Sequence, residues 1–485
     1  MDRSATLHLS AVGTGLAATV PLVVDLDGSL LRTDTLVESL FAVARMHPLT
    51  LLKVPAWLVQ GRAQLKQGVA ERAAIDVRTL PFDRELVEHL RAQKRRGRHL
   101  ILATGADQKI ARAVADELGL FDAVLASDGD VNLTASRKRE CLVAQFGELG
   151  FDYLGNSVRD LPVWAAARRG LLVTRSPRLM EAVRRVTVVE RVFARRKPSA
   201  ATYFGAMRMH HWVKNLLVLV PLLAAHRLYD VALLFRGLVG VLSFCLAASG
   251  VYLLNDLFDL SADRRHPHKK QRALASGQIP LAHALVLLPC LWLVAAALGL
   301  WLKPSFLVAL GVYAGMMLAY SMRLKDIPIV DVSILSMGYT LRIFAGSLAV
   351  GIGVSGWVLG CSAALFFGLA LLKRYAEIVT LNSGLGPELR VRGYRTSDAA
   401  LIAGVGMAAG CIAVALLALQ PILEPSDHAR WPVWLVSVLL LFWTSYMWLM
   451  ARCGDIHGDP VGYGLQDRIS RIFGVSAVAI LLYAT

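Results

Sequence analysis

The sequence predicts two parts of different fold class. An N-terminal α/β domain with a parallel sheet and a small helical cap precedes an all-α polytopic membrane domain of nine transmembrane helices. Three observations predict this. The 485 residues are 55% hydrophobic and only 18% charged, and the mean hydropathy of +0.51 is uncommon for a soluble chain. Apolar stretches near the membrane-spanning length of about 20 residues recur after residue 210. Before that point, short apolar runs alternate with charged helical patterns, as in a doubly wound sheet.

Taken in order, the apolar runs Leu22–Asp25, Leu100–Ala103, Ala123–Ala126, Phe151–Leu154 and Leu171–Thr174 read as buried parallel strands. Between the first two lies a helical insertion, about Thr35 to Pro81, too long for a plain crossover and therefore a cap over the carboxyl edge of the sheet. The α/β domain is expected over 1–195. A basic, Pro-containing stretch from Arg191 to Ser199 begins the link, with the linker proper at 196–210 and the membrane domain at 211–485. Nine helices are expected near 212–228, 232–256, 281–301, 305–322, 327–349, 355–378, 399–420, 431–450 and 472–484.

Loop charge sets the orientation. Arg264, Arg265, Lys269, Lys270 and Arg272 crowd the loop 257–280, and Lys373, Arg374, Arg390, Arg392 and Arg395 the loop 373–395. Arg323 with Lys325, and Arg452 with Arg468, mark two more basic turns, while the opposite turns carry only Arg227, Lys303 and Arg430. The positive-inside rule makes the charged loops and the first domain cytoplasmic, and an odd helix count puts the C-terminus outside. The N-terminus lacks the charged-then-apolar pattern of a signal peptide. Because the cations cluster in such loops, the net charge of +16 argues for a lipid bilayer as partner and against nucleic acid. Six cysteines without a C-x-x-C pair read as packing residues in apolar helices, not as disulfides or metal ligands.

Two clusters carry chemistry. Asp25-Leu26-Asp27-Gly28-Ser29 closes the first strand, so two carboxylates stand at the sheet's carboxyl tip, where open α/β sheets bind ligands. One can attack phosphorus while the other handles the leaving-group proton, and their repulsion calls for Mg²⁺. Farther on, Asn255, Asp256, Asp259 and Asp263 fall within a narrow arc if one helix continues through them. Acids at the end of a transmembrane helix are too costly for packing alone. They suit Mg²⁺ gripping a diphosphate, with Arg264, Lys269, Lys270 and Arg272 as a phosphate cage. Asp331 and Arg342, eleven residues apart on one helix, share a face and mark a polar cavity.

Asp25, Asp27, Thr104, Lys138 and the Gly155–Asp160 run, in this order and spacing, resemble the haloacid-dehalogenase (HAD) phosphatase superfamily over roughly residues 20 to 190. The resemblance implies that Asp25 is the nucleophile, Asp27 the general acid/base, and Thr104 and Lys138 the phosphoryl-oxygen ligands. Asn156 replaces the first acid of the last motif, so Asn156 and Asp160 complete the implied metal set with Asp25 and Asp27.

N-D-x-x-D-x-x-x-D, the basic loop and the nine helices resemble UbiA-type prenyltransferases across roughly 200 to 485. That family implies two Asp-rich motifs holding Mg²⁺ and diphosphate. The second is represented by Asp331, since Asp326 stands five residues away. The stretches 209–215, 263–267, 339–342 and 373–377 look like the decaprenyl-phosphate phosphoribosyltransferases, which move phosphoribose from phosphoribosyl diphosphate (PRPP) to a polyprenyl phosphate. By that resemblance Lys214, Lys325, Arg342, Lys373 and Arg374 neutralise PRPP and the lipid phosphate. The expected protein is a bifunctional synthase and phosphatase of a bacterial inner membrane, open to homo-oligomer formation. An aromatic prenyltransferase with a HAD domain of separate role is the alternative. A transporter would need broken helices and inverted repeats, which the sequence does not display.

Overall fold

A computed structural model describes residues 20–73, 75–129, 131–195, 197–382, 393–424, 431–456 and 458–483. Arg390, Arg392, Arg430 and the expected absence of an N-terminal signal lie outside these residues. Contacts divide the chain into two compact units, Met1–Thr202 with Leu257–Leu281, and Tyr203–Asp256 with Ala282–Thr485.

The first unit is built on six parallel strands, β1 (Leu22–Val24), β2 (Leu100–Asp107), β3 (Ala123–Ser127), β4 (Asp152–Gly155), β5 (Arg169–Val173) and β6 (Val188–Phe193), in the order β3-β2-β1-β4-β5-β6. β1 lies at the centre with all three residues fully buried, which is why it reads as an unbroken apolar run. The strand order reverses there, so the carboxyl end of β1 is the sheet's switch point. The inserted helices α1 (Thr35–Met46), α2 (Val54–Gln60) and α3 (Arg62–Ala70) form the expected cap. The sheet is wrapped by α4 (Arg84–Arg95), α5 (Gln108–Leu118), α6 (Ala135–Phe146), α7 (Leu161–Ala166) and α8 (Pro177–Arg184). Four helix starts are fixed chemically: Asp34, Asp83, Asp107 and Ser176 each accept a backbone N–H at the N-caps of α1, α4, α5 and α8. β6 is an addition to the five expected strands, and the basic stretch from Arg191 begins inside it.

After α9 (Ala200–Ala206) come α10 (Val220–Ala224), α11 (Val231–Phe258), α12 (Leu260–Arg265, within the first unit), α13 (Leu281–Leu302), α14 (Pro304–Met322) and α15 (Val330–Val350). α16 (Gly356–Asn382), α17 (Ala399–Leu423), α18 (Trp431–Cys453), α19 (Pro460–Gln466) and α20 (Arg468–Tyr483) follow. Among the described residues seven helices, α11 and α13 to α18, are long and apolar enough to span a bilayer, and the chain is an integral membrane protein. The other two expected spans are shorter. Residues 209–219 wind as a 3₁₀ helix into the five-residue α10, where Pro221 supplies no backbone donor and disfavours a longer α-helix. α20 has only 16 residues.

In the membrane unit α15 is deeply packed. Gly346 lets it meet the 3₁₀ segment so closely that a Cβ there would lie 2.1 Å from the Val218 carbonyl oxygen. All six cysteines are free thiols; Cys245 and Cys361 are buried, whereas Cys290, Cys411 and Cys453 lie on exposed helix faces and not in the core.

Candidate active sites

β1 delivers Asp25 to the switch point, and Gly28, at φ 72°, turns the chain sharply behind it. Lys138, from α6, donates to Asp25 Oδ1 at 2.8 Å and to the Tyr153 hydroxyl at 3.0 Å. Tyr153 in turn donates to Asp160 Oδ1 at 3.0 Å, and Ser29 Oγ lies 3.2 Å from Asp25 Oδ2. All five side chains are buried. Burial alone lowers the Lys138 pKa, but Asp25 and Asp160 outweigh it and hold the ammonium above its ordinary value.

Asp27 accepts from the Thr35 amide at 2.9 Å and from Thr35 Oγ1 at 3.0 Å. Burial first, then the nearby carboxylates Asp34 and Asp25, push its pKa up to about 8. Thr104 is buried within β2, its hydroxyl accepting from the Ala106 amide at 3.0 Å. Asn156 packs on the turn: a Cβ at Gly28 would lie 2.1 Å from its Nδ2. The structure thus joins Asp25, Lys138 and Asp160 directly and sets Asn156 against the same loop. Two participants escape sequence reasoning. Tyr153 bridges Lys138 to Asp160, and Lys66 of the cap donates to the Gly105 carbonyl and, at 2.7 Å, to Asn132. A tyrosine in a strand or a lysine in a cap helix carries no spacing signal of its own.

The donor set fits Mg²⁺ by its chemistry. Asp25, Asp27, Asp160 and Asn156 offer hard oxygens, and the raised pKa values of Asp27 and Asp160, burial being the first cause of each, mark negative charge that a cation relieves. Among the described residues no three His, Cys, Asp or Glu side chains converge as a ready metal cluster.

The acidic run of the second centre is not one continuous helix. Asn255 and Asp256 end α11, whereas Asp259 leaves helical geometry at φ −96°, ψ 9° and caps α12, which carries Asp263. Within the first unit Arg45 pairs with Asp259 at 2.8 Å and Arg272 with Asp263 at 2.6 Å. Arg264, expected in a phosphate cage, instead holds buried Glu38 of the cap in a two-pronged bridge of 2.8 and 2.6 Å. Lys269 is exposed at the start of a short 3₁₀ turn.

In the membrane unit Arg208 pairs with Asp256 at 2.5 Å and lies over the Tyr252 ring. A polar cluster surrounds Tyr339. Lys214 Nζ and the Arg342 guanidinium lie 5.8 and 5.5 Å from its ring centroid. Arg342 donates to Asn215 Oδ1 at 2.8 Å, to the Gly338 carbonyl at 2.6 Å and to the Tyr313 hydroxyl at 2.9 Å. Lys214 pairs with Asp459 at 2.5 Å, and Lys373 shares the field of that carboxylate. Asp459, N-cap of α19, was not foreseen; Asp-Pro before a short helix was its only local signal.

Asp331 does not face a cavity with Arg342. It is fully buried, accepting from Arg374 at 2.6 Å and from the Tyr394 hydroxyl at 2.7 Å, and Arg374 also pairs with Glu377 at 2.5 Å. Lys325 lies half-buried in the 3₁₀ turn before α15. The structure therefore gathers Lys214, Arg342 and Lys373 in one cluster and places Arg374 with Asp331 in another.

Residues 216–385 match the model of the UbiA prenyltransferase family. Over 473 residues the chain is 33% identical to a protein of Sinorhizobium fredii named uncharacterized protein y4nM, covering 96% of this chain and 91% of that one. Over 283 residues it is 31% identical to the decaprenyl-phosphate phosphoribosyltransferase of Mycolicibacterium smegmatis, covering 55% and 87%. A substrate-bound phosphoserine phosphatase structure superimposes with TM-score 0.26 at 16% identity, covering 36% of this chain and 95% of that one.

Proposed function

Because the chain belongs to the UbiA prenyltransferase family, we propose that its membrane unit transfers 5-phosphoribose from PRPP to a polyprenyl phosphate, releasing diphosphate. The cluster around Tyr339 is the observation that carries this reading. Lys214, Arg342 and Lys373 concentrate positive charge among apolar helices in excess of the one carboxylate, Asp459, that pairs with Lys214, and anionic substrates would balance the excess. A reaction joining a diphosphate donor to a phosphate acceptor supplies such substrates. The phosphoribosyltransferase relatives support the same choice.

In this reading a lipid phosphate oxygen attacks ribose C1 as its bond to diphosphate breaks, with oxocarbenium character and inversion at that carbon. Lys214 and Lys373 hold the anionic groups. Arg342, whose donors engage Asn215, Gly338 and Tyr313, positions the cluster and adds its charge. Asn255 and Asp256, at the end of α11, are the oxygen donors of this unit that would hold Mg²⁺, which when bound would offset the charge of the departing diphosphate.

The first unit then removes the 5-phosphate. Asp25 attacks phosphorus, giving an aspartyl-phosphate, while Asp27 delivers a proton to the leaving hydroxyl and later takes one from water. Lys138 holds Asp25 in place and offsets its charge. The product is polyprenyl-phosphoryl ribose.

The test is incubation of membranes holding the protein with labelled PRPP and polyprenyl phosphate. Label should enter the lipid phase, and Asp256→Asn should abolish it. Label absent from lipid, with product formed from a prenyl diphosphate and an aromatic acceptor, overturns the reading.

A further inference from the structure

We propose that the outer face of the cap, residues 46–62, is a lipid-binding surface that seats in the headgroup layer of an anionic bilayer. The 3₁₀ helix Pro48–Lys53 and α2 contain no buried residue, although both are mostly apolar. Leu49, Leu52 and Val59 are 79%, 78% and 89% exposed, and Met46 and Leu58 are exposed beside them. Folding of the cap does not need this face. Its own core lies on the inner side, where Val43, Leu65 and Val69 pack with Leu40 and Trp57. A contiguous apolar patch left outside such a core marks a binding surface.

Charge identifies the occupant. Between Glu38 and Glu71 the chain has no acidic residue, but it has Arg45, Lys53, Arg62 and Lys66. Arg45 and Lys66 have partners inside the unit, Asp259 and the Gly105 carbonyl, while Lys53 and Arg62 stand exposed along the apolar patch. A second copy docking here by two-fold symmetry would set cation against cation. An apolar body with a cationic rim instead complements an anionic lipid surface. A chain that crosses a bilayer keeps such a surface within reach.

A consequence rests on the function proposed above. α3 follows the patch directly and carries Lys66 to Gly105, next to Thr104 of the Asp25 site. The cap that meets lipid therefore borders the phosphatase centre. The substrate class this favours is a phosphomonoester whose hydrocarbon chain remains in the bilayer.

The test uses the full-length protein in vesicles of phosphatidylglycerol and phosphatidylcholine. The photocrosslinker p-benzoylphenylalanine replaces Leu52, Val59 or, as control, the exposed Leu149 of the same unit. Lipid-mass adducts should form at 52 and 59 and not at 149. Lys53→Gln and Arg62→Gln should each lower the yield roughly fivefold. Chain dimers crosslinked through 52 or 59, equal lipid adducts at all three positions, or none at any, overturn the proposal. In a second arm, Leu52→Asp with Val59→Asp should lower kcat/KM for a vesicle-borne long-chain phosphomonoester about tenfold relative to p-nitrophenyl phosphate; an unchanged ratio overturns it. Crosslinking needs no activity, so a protein without phosphatase activity still shows whether this face meets lipid.

Discussion

Lys138 holds two buried carboxylates, Asp25 and Asp160, and its removal exposes what that pairing does. Lys138→Met leaves Asp25 without its counterion, and breaking a buried pair in this way costs about 3–5 kcal/mol. Thermal unfolding of the purified protein should show the loss, and Asp25→Asn with Lys138→Met should recover part of it. Asp25→Asn alone keeps the shape and removes the oxygen proposed to attack phosphorus. It should leave lipid labelling from PRPP intact while the product retains its 5-phosphate, a difference of one phosphoryl group by mass spectrometry. The same phosphorylated lipid from wild type and variant would remove the phosphatase from the scheme. Asp25 and Lys138 were legible in the sequence because a strand-end D-x-D-G and a downstream lysine follow the chain order of one chemistry. Tyr153 and Asp459 were not, because each joins its cluster through contacts 15 and 245 residues away, with Lys138 and Lys214.

Elements obey the same distinction. β1 and β4 were readable as apolar runs because both faces are covered. β6 lies at the sheet edge, carries Glu190 and Arg191, and is exposed at three of its six residues, so its sequence resembles a linker. The first expected span fails at Pro221, and the acidic arc breaks at Asp259, where the chain leaves α11 and starts α12. Hydropathy registers neither break. The contact between α15 and the 3₁₀ segment 209–219 depends on Gly346, since a methyl group there meets backbone and not a movable side chain. Gly346→Ala should cost about 1–3 kcal/mol by overpacking. It should also displace Lys214 and Asn215, raising the KM for PRPP more than it lowers the yield of folded protein, as read by activity against detergent-stable protein recovered.

For the whole molecule, loop charge predicts which loops face the cytoplasm. In a cysteine-free background, a cysteine at position 352 should react with an impermeant maleimide added to intact cells, and one at 385 should not. The reverse pattern would place the phosphatase outside, away from a cytoplasmic product. Residues 257–281 belong to the first unit, yet they leave the ribosome after residues 203–256 of the other unit, so the first unit is discontinuous along the chain. Synthesis runs from the N-terminus, and the cap emerges long before Arg264, the partner that Glu38 holds in a buried bridge. The order of assembly is thereby fixed: the first unit finishes only after α11 has been made. Nascent chains stalled with residue 202 exposed should be cut readily in the cap by added protease, and chains stalled with residue 281 exposed should resist. A domain written first in the chain thus completes its fold among the later steps.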